Sequence, residues 1–179
     1  MTFADASAIH LRNLDDNLRI KPRTRHYWRQ RLAALIKSWP GLNEAELRKI
    51  TSADCRKWTN AYVKKASPTN YNNTVALLRH ILNVAIDAGV IYSNPAAALK
   101  RAAIRGKEIA LPTIDKFNAL IDEMRAGQSR DSKDCADLAA GLAFTGCRIG
   151  EGREIAWRDV DFHAGEIVVR GDAKTGTKN

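Results

Sequence analysis

The sequence predicts a mainly α protein in two parts. A basic four-helix domain occupies residues 1–103, and after a linker at 104–112 a smaller α+β domain covers 113–179. Three observations lead there. Apolar residues recur at three- and four-residue steps through most of the chain, which is the period of one helical face. The stretch Lys100 to Glu108 carries Arg101, Arg105, Gly106 and Lys107, a charged, core-poor segment of the kind that joins domains. Near the end, Gly165 to Arg170 reads as a strand followed by the turn G-D-A-K-T-G-T-K-N.

Composition narrows the classes. With 179 residues and 45% apolar side chains the chain has enough material for ordinary cores. Lys and Arg number 29 against 20 Asp and Glu, a net charge of +9, which favours a polyanionic partner through steering and counterion release. Nucleic acid is the first candidate and an anionic membrane surface the second. No apolar run approaches the roughly 18 residues of a spanning helix. The start, M-T-F-A-D-A, lacks the basic and apolar regions of a signal peptide. Cys55, Cys135 and Cys147 are odd in number and show no C-x-x-C spacing, so neither a zinc site nor a disulfide framework is expected, and a reducing cytoplasm is the expected compartment.

The elements follow in order. Phe3, Ala6, Ile9, Leu11 and Leu14 space out a first helix over Thr2 to Asn17. Pro22 suits the first position of a second, with Tyr27, Trp28, Leu32, Leu35, Ile36 and Trp39 recurring until Pro40-Gly41 breaks the run. Its other face holds Arg23, Arg25, Arg29 and Arg31 with no acid among them, either a solvated basic face or a phosphate-contacting one. Leu42 to Ile50 reads as a short helical connector. Thr51 and Asp54 form a capping box for a third helix running to about Lys65, where Lys64 and Lys65 suit the helix dipole. Ser67 to Asn73, with Thr69, Asn70, Asn72 and Asn73, is rich in groups that either cap the next helix or reach a DNA backbone.

The fourth helix places Val75, Leu78, Leu82, Ala85 and Ile86 on one stripe with Ile81 beside it, leaves Arg79 and His80 off it, and stops at Gly89. A turn and short helix, V-I-Y-S-N-P-A-A-A-L, precede the linker. In the second domain Thr113, or the residue before it, caps a helix carrying Ile114, Phe117, Leu120, Ile121 and Met124. The nearly all-apolar Asp134 to Phe144 is expected to be buried at that domain's centre. Gly146 then reads as its left-handed stop, Arg148 and Glu151 open a new short helix one turn apart, Ile155 and Trp157 tuck its far end into a core, and Asp159 and Asp161 end it.

The string T-G-C-R-I-G-E followed by I-A-W-R-D-V-D resembles the first catalytic box of the tyrosine recombinases, the phage-integrase family, through Thr145, Gly146, Arg148, Gly150, Glu151, Trp157, Asp159 and Asp161. The helical part, with S-P-T-N-Y-N ahead of a helix and G-V-I-Y-S-N-P after it, is similar in layout to that family's SAM-like core-binding domain. The resemblance implies a fold: a SAM-like four-helix core-binding domain, then the α+β start of a catalytic domain. It implies that the parent protein cuts and rejoins duplex DNA through a 3′-phosphotyrosyl link without metal or nucleotide cofactor. The family's second arginine box and its tyrosine nucleophile have no room before Asn179, so this chain is expected to bind without cutting. It is expected to be monomeric in solution, with assembly on DNA for a full-length parent. A stand-alone DNA-binding or regulatory protein derived from a recombinase is the alternative.

The chemistry gives the box roles. Phosphoryl transfer develops charge on non-bridging oxygens, and a guanidinium such as Arg148 meets it with paired, always-protonated donors. Glu151 orients that arginine. A hairpin lysine acts as general acid toward a leaving oxygen, and both Lys174 and Lys178 fit the family pattern, with Lys178 favoured. Arg23, Arg25, Arg29, Arg31, Lys64, Lys65 and Arg79 are expected on one DNA-facing side of the first domain, with the two domains closing around the duplex.

Overall fold

The computed structural model describes residues 1–106 and 108–169. It divides into two compact units, Met1–Gly106 and Lys107–Asn179.

The first unit contains α1 (Phe3–Asp16), α2 (Pro22–Ser38), α3 (Ser52–Tyr62) and α4 (Pro68–Asp87). Each start has a local cause. Thr2 and Asp5 box the first turn of α1, Asp5 N–H donating to Thr2 Oγ1 at 3.2 Å and Thr2 N–H to Asp5 Oδ2 at 2.7 Å. Pro22 opens α2, where a missing N–H costs nothing. Thr51 and Asp54 repeat the box at α3, and Ser67 accepts from the Asn70 amide to cap α4 ahead of Pro68. The N-terminus is stitched to the α2–α3 connection by Phe3 N–H to Ala45 O at 2.9 Å and Ala4 N–H to Asn43 O at 3.0 Å, which sinks the Phe3 ring into the core.

Helix α4 is the centre of this unit, with α1 and α2 laid against it. Val75, Leu77, Leu78, Ile81, Leu82 and Ala85 are almost fully buried. An aromatic row packs beside them: Trp39 on Trp58 at 5.3 Å, Trp58 on Tyr62 at 5.1 Å and Tyr62 on Tyr71 at 6.3 Å between ring centroids. The row's polar tips are satisfied, Trp58 Nε1 donating to Ser38 Oγ and Tyr62 Oη sharing a hydrogen bond with Thr74 Oγ1, as buried rings of this kind require.

Three connections differ from expectation. The Leu42–Ile50 stretch is a set of turns with a single 3-10 turn at Leu47–Lys49. Helix α3 ends at Tyr62, short of Lys65, because the Lys65 and Ala66 amides both turn back onto Tyr62 O before the Ser67 cap. Residues 90–99 contain turns but no helix.

The second unit pairs α5 (Ile114–Ala126) with α6 (Ser132–Thr145), joined by an Arg125–Asp137 ion pair and by Phe117 set edge-on to Phe144 at 5.8 Å. Thr113 accepts from the Lys116 amide and caps α5. The expectation of a buried α6 is corrected. Only Ala136 of this helix is buried, while Leu138 is 51% and Phe144 70% exposed, because α5 is the main element packed on it among the described residues. After α7 (Ile149–Gly152) and a 3-10 turn at Trp157–Asp159 comes a two-stranded antiparallel hairpin, β1 (Val160–Asp161) with β2 (Glu166–Ile167), Val160 opposite Ile167. The sequence suggested one strand; Asp161 supplies the second by accepting at Oδ1 from the His163 and Ala164 amides, which folds the turn, and Gly165 completes it at φ +69°. Arg170 and the turn beyond it lie outside the described residues.

The first unit carries a pH signature. The His10 and His80 rings stack at 6.0 Å, and Trp28 stands edge-on to His80 at 6.0 Å. Burial, and secondarily the neighbouring His80, hold the His10 imidazole below its ordinary 6.5. The unfolded chain therefore takes up a proton at a higher pH than the folded one, so this stability is present above about 6.5 and is lost as pH falls below it. The urea midpoint is expected to drop between pH 7.5 and 5.5, and to drop less in His10→Gln. An equal drop in both proteins contradicts the assignment.

Candidate functional site

Two groups of predicted residues stand apart, one in each unit. In the first, α2 and the beginning of α4 are joined by side chains. Arg31 Nη1 donates to Asn70 Oδ1 at 2.9 Å, its guanidinium lies 5.4 Å from the Tyr27 ring centre, and Asn73 Nδ2 donates to Tyr27 Oη at 2.6 Å. Tyr27 looked like a core residue in the sequence. Its i, i+4 spacing to Arg31 was the available signal for this network. Lys64 and Lys65 are exposed in the turn leading to Ser67, Thr69 is exposed in the first turn of α4, and Arg23 is exposed at the start of α2.

The rest of the predicted basic face is corrected in part. Arg29 is bonded through Nη2 to both carboxylate oxygens of Asp15 at 2.7 and 2.6 Å, an acid on α1 that lies distant in sequence. With both side chains nearly half exposed, that pair holds loosely. Arg25 Nη2 donates to Asn17 O at 3.0 Å. Asn72 is buried and faces away from solvent, Nδ2 donating to Ala102 O at 3.0 Å and Oδ1 accepting from Ala102 N–H at 2.8 Å. Arg79 is half-buried and serves main-chain carbonyls, Nε donating to Ala96 O and Nη2 to Ala97 O and Leu99 O. Both act within the fold because α4 is surrounded, and polar groups on a surrounded helix must find partners in the protein. Thr69 does not cap α4; Ser67 does, one residue before Pro68.

The second group is the arginine box. Helix α6 ends at Gly146 in the left-handed region, φ +68°, where a side chain is strained. Thr145 Oγ1 donates back to Gly141 O and accepts from the Cys147 amide, shaping the exit. Arg148 stands at the mouth of α7. Its N–H donates to Glu151 Oε2 at 2.9 Å and its Nη1 to Glu151 Oε1 at 2.8 Å. The carboxylate is tucked in, its side chain 11% exposed, while the Arg148 side chain is 77% exposed. Gly152 lies so close to α6 that a Cβ there would come within 2.9 Å of Leu142 Cδ2, which pins α7 against α6. The result is a guanidinium with one nitrogen tied to a fixed carboxylate and the others free toward solvent. Such a donor is oriented before any phosphate arrives.

Beyond the box, Asp159 is buried and accepts from Ala156 N–H at Oδ2, 3.0 Å, closing the 3-10 turn. The expectation that Trp157 enters a core is corrected: it is 81% exposed and stacks at 6.2 Å on Phe162, itself 79% exposed. Lys174 and Lys178 lie outside the described residues. No group of three or more metal-ligating side chains gathers among the described residues.

This fold matches known structures. The Tn1549 transposon integrase in complex with circular intermediate DNA aligns at TM-score 0.73 and 20% identity, over 95% of this chain and 54% of its own. The lambda integrase of a tetramer bound to a Holliday junction aligns at 0.74 and 22% identity, over 90% of this chain and 44% of its own. The chain has the fold of these integrases. A second Tn1549 integrase complex, with transposon right end DNA, aligns at 0.70 and 20% identity over 90% of this chain and 50% of its own. The chain thus spans about half the length of the solved structures it matches. No protein-family model and no curated protein sequence matches it. The resemblance to tyrosine recombinases carried by the arginine box is therefore met at the level of fold.

The Arg148–Glu151 arrangement has a direct titration test. Hydrogen bonding from the Arg148 backbone N–H, then from its side chain, lowers the Glu151 carboxyl below its ordinary 4.5. Stability from this pair is present above about 4.5 and is lost as pH falls through the folded value below it. A carboxyl NMR titration is expected to place Glu151 below 4.5, with Arg148→Ala moving it only part of the way back, since the backbone donor remains. An unshifted midpoint in the native chain contradicts the geometry.

Proposed function

We propose that this chain is a DNA-binding portion of a site-specific tyrosine recombinase. The first unit grips duplex DNA through the α2–α4 network and the Lys64–Lys65 turn, and Arg148 supplies a phosphate-binding guanidinium to the cleavage centre. The observation that carries this reading is Arg148 held by its tucked-in Glu151 at a helix mouth, within an integrase fold. The net charge of +9 supports a polyanionic partner.

Each residue then has a task. Lys64, Lys65 and Arg23, which make no ion pair with described residues, meet phosphates at low cost because they leave no partner behind. Arg31 bonds Asn70, Asn73 bonds the Tyr27 hydroxyl beside it, and these groups keep further donors and acceptors for a DNA edge or backbone. Arg25 and Arg29 add charge from positions already tied to Asn17 and Asp15. At the scissile phosphate, Arg148 binds non-bridging oxygens and Glu151 keeps it in place, so that charge developing there meets a donor that needs no reorganisation. In the whole recombinase a tyrosine attacks phosphorus, the 5′-oxygen leaves with a proton from Lys178 or Lys174, and the 3′-phosphotyrosyl link stores the bond for rejoining. The cleavage step belongs to that whole protein, and this chain supplies its binding surface and first arginine.

Fluorescence anisotropy with a labelled duplex at rising salt tests the reading. A steep linear fall of log affinity with log salt is expected, at about 0.9 per phosphate contact. Lys64→Glu combined with Lys65→Glu is expected to weaken binding by about tenfold or more and to reduce the slope by about two. Arg148→Ala, which removes one phosphate contact, is expected to weaken binding less than the lysine pair does and to reduce the slope by about one. A flat salt response, or a charge-reversed protein that binds as the native one does, overturns the proposed surface.

A further inference from the structure

After α4 ends, the chain returns along that same helix. Gly89, at φ +67°, reverses it. Asn94 Nδ2 donates to Arg79 O at 3.0 Å and to Asn83 Oδ1 at 2.6 Å, while Asn94 Oδ1 accepts from Ala96 N–H at 2.9 Å. Arg79 then collects the carbonyls of Ala96, Ala97 and Leu99, with Nε to Ala96 O at 3.0 Å. Tyr71 Oη donates to Lys100 O at 3.2 Å, and Asn72 clasps the main chain of Ala102, donating to its C=O and accepting from its N–H. The partners move from Asn83 through Arg79 to Tyr71 and Asn72 as the returning segment advances from Asn94 to Lys100 and Ala102, so the two run antiparallel. Ala96 and Leu99 are buried against the core. Among the described residues from Ala103 to Pro112 there is no helix, strand or side-chain clip; the next is the Thr113 cap of α5.

We propose that residues 94–102 are a strap that sets the length of the tether between the two units, with Arg79 and Asn72 as its positioning residues. The clips are disposed for that purpose. A single arginine takes the carbonyls of Ala96, Ala97 and Leu99, and the last clip holds both the N–H and the C=O of one residue, so the strap ends sharply at Ala102. With the strap in place the tether is residues 103–113, a reach of roughly 40 Å when fully extended. Freed from residue 94 onward it reaches roughly 70 Å. Lengthening a tether that much lowers the effective concentration of one binding unit near a site held by the other by about two- to threefold. That last consequence rests on the DNA-binding reading; the strap does not.

The test uses the full chain without DNA, so it separates the strap from that reading. Trypsin is expected to cut the Arg105–Gly106 bond about tenfold or more faster than Arg101–Ala102, because the Ala102 peptide must first unclip before it is cut. In Asn72→Ala and in Arg79→Ala the two rates are expected to converge, with the helical circular dichroism retained. Should either variant fail to fold, hydrogen exchange of the native chain decides: the Ala102 amide is expected to be protected and the Arg105 amide open. Equal cleavage at both bonds of the native chain, equal exchange at both amides, or folded variants that leave the cleavage ratio unchanged overturn the proposal.

Discussion

The burial of α4 is the constraint on which the first unit depends. Twenty residues from Pro68 to Asp87 run through the middle of the unit, and their apolar side chains from Val75 to Ala85 are covered by neighbouring elements. The polar residues that fall on its covered side cannot reach water. Asn72, Thr74 and Arg79 therefore recruit partners, and those partners are structural events in their own right: the Ala102 clasp, the bond to Tyr62 and the carbonyl grip of the returning strap. Leaving any of these groups buried and unmade costs on the order of 1–3 kcal/mol. The first turn of α4, from Pro68 to Asn70, is exposed, as are His80, Asn83 and Asp87 further along; at that first turn Arg31 bonds Asn70, and the exposed Lys64 and Lys65 lie in the turn that precedes it.

The second unit depends on a smaller device of the same kind. Gly146 ends one helix in a conformation that favours glycine, and the next begins with Arg148 bonded twice to Glu151. The carboxylate is protected by the protein and the guanidinium is presented outward, so a charged donor is fixed in direction with little buried surface. Among the described residues the arginine is positioned by the Gly146 turn, by its two bonds to Glu151 and by the close approach of Gly152 to Leu142 on α6.

What the sequence disclosed and what it hid divide along one line. Pro22 at a helix start, the Thr51–Asp54 box, the Thr113 cap, Gly146 as a helix stop and the Arg148–Glu151 spacing were all legible, because each depends on residues within one turn of one another. Arg29 with Asp15, Arg31 with Asn70, and Asn72 with Ala102 were not, because those partners meet only after the helices pack. Periodicity also misjudged depth. It gave α4 a stripe where burial is broader and takes in Tyr71, Asn72, Thr74 and Leu77 as well, and it placed α6 at a centre although a run of Ala and Leu records only that a helix is apolar, not what covers it. Asp161 was read as the end of a helix, whereas its side chain builds the turn of a hairpin.

The central claim is that the open end of α4 and the outward guanidinium of the box are the parts that meet DNA. Backbone NMR of the chain titrated with a short duplex at low salt measures it most directly. The account predicts the largest shift changes at Lys64, Lys65, Thr69 and Asn70 on α4 and the turn before it, at Arg31 on α2, and at Arg148. Changes confined to other surfaces, with these residues unmoved at saturating duplex, contradict it.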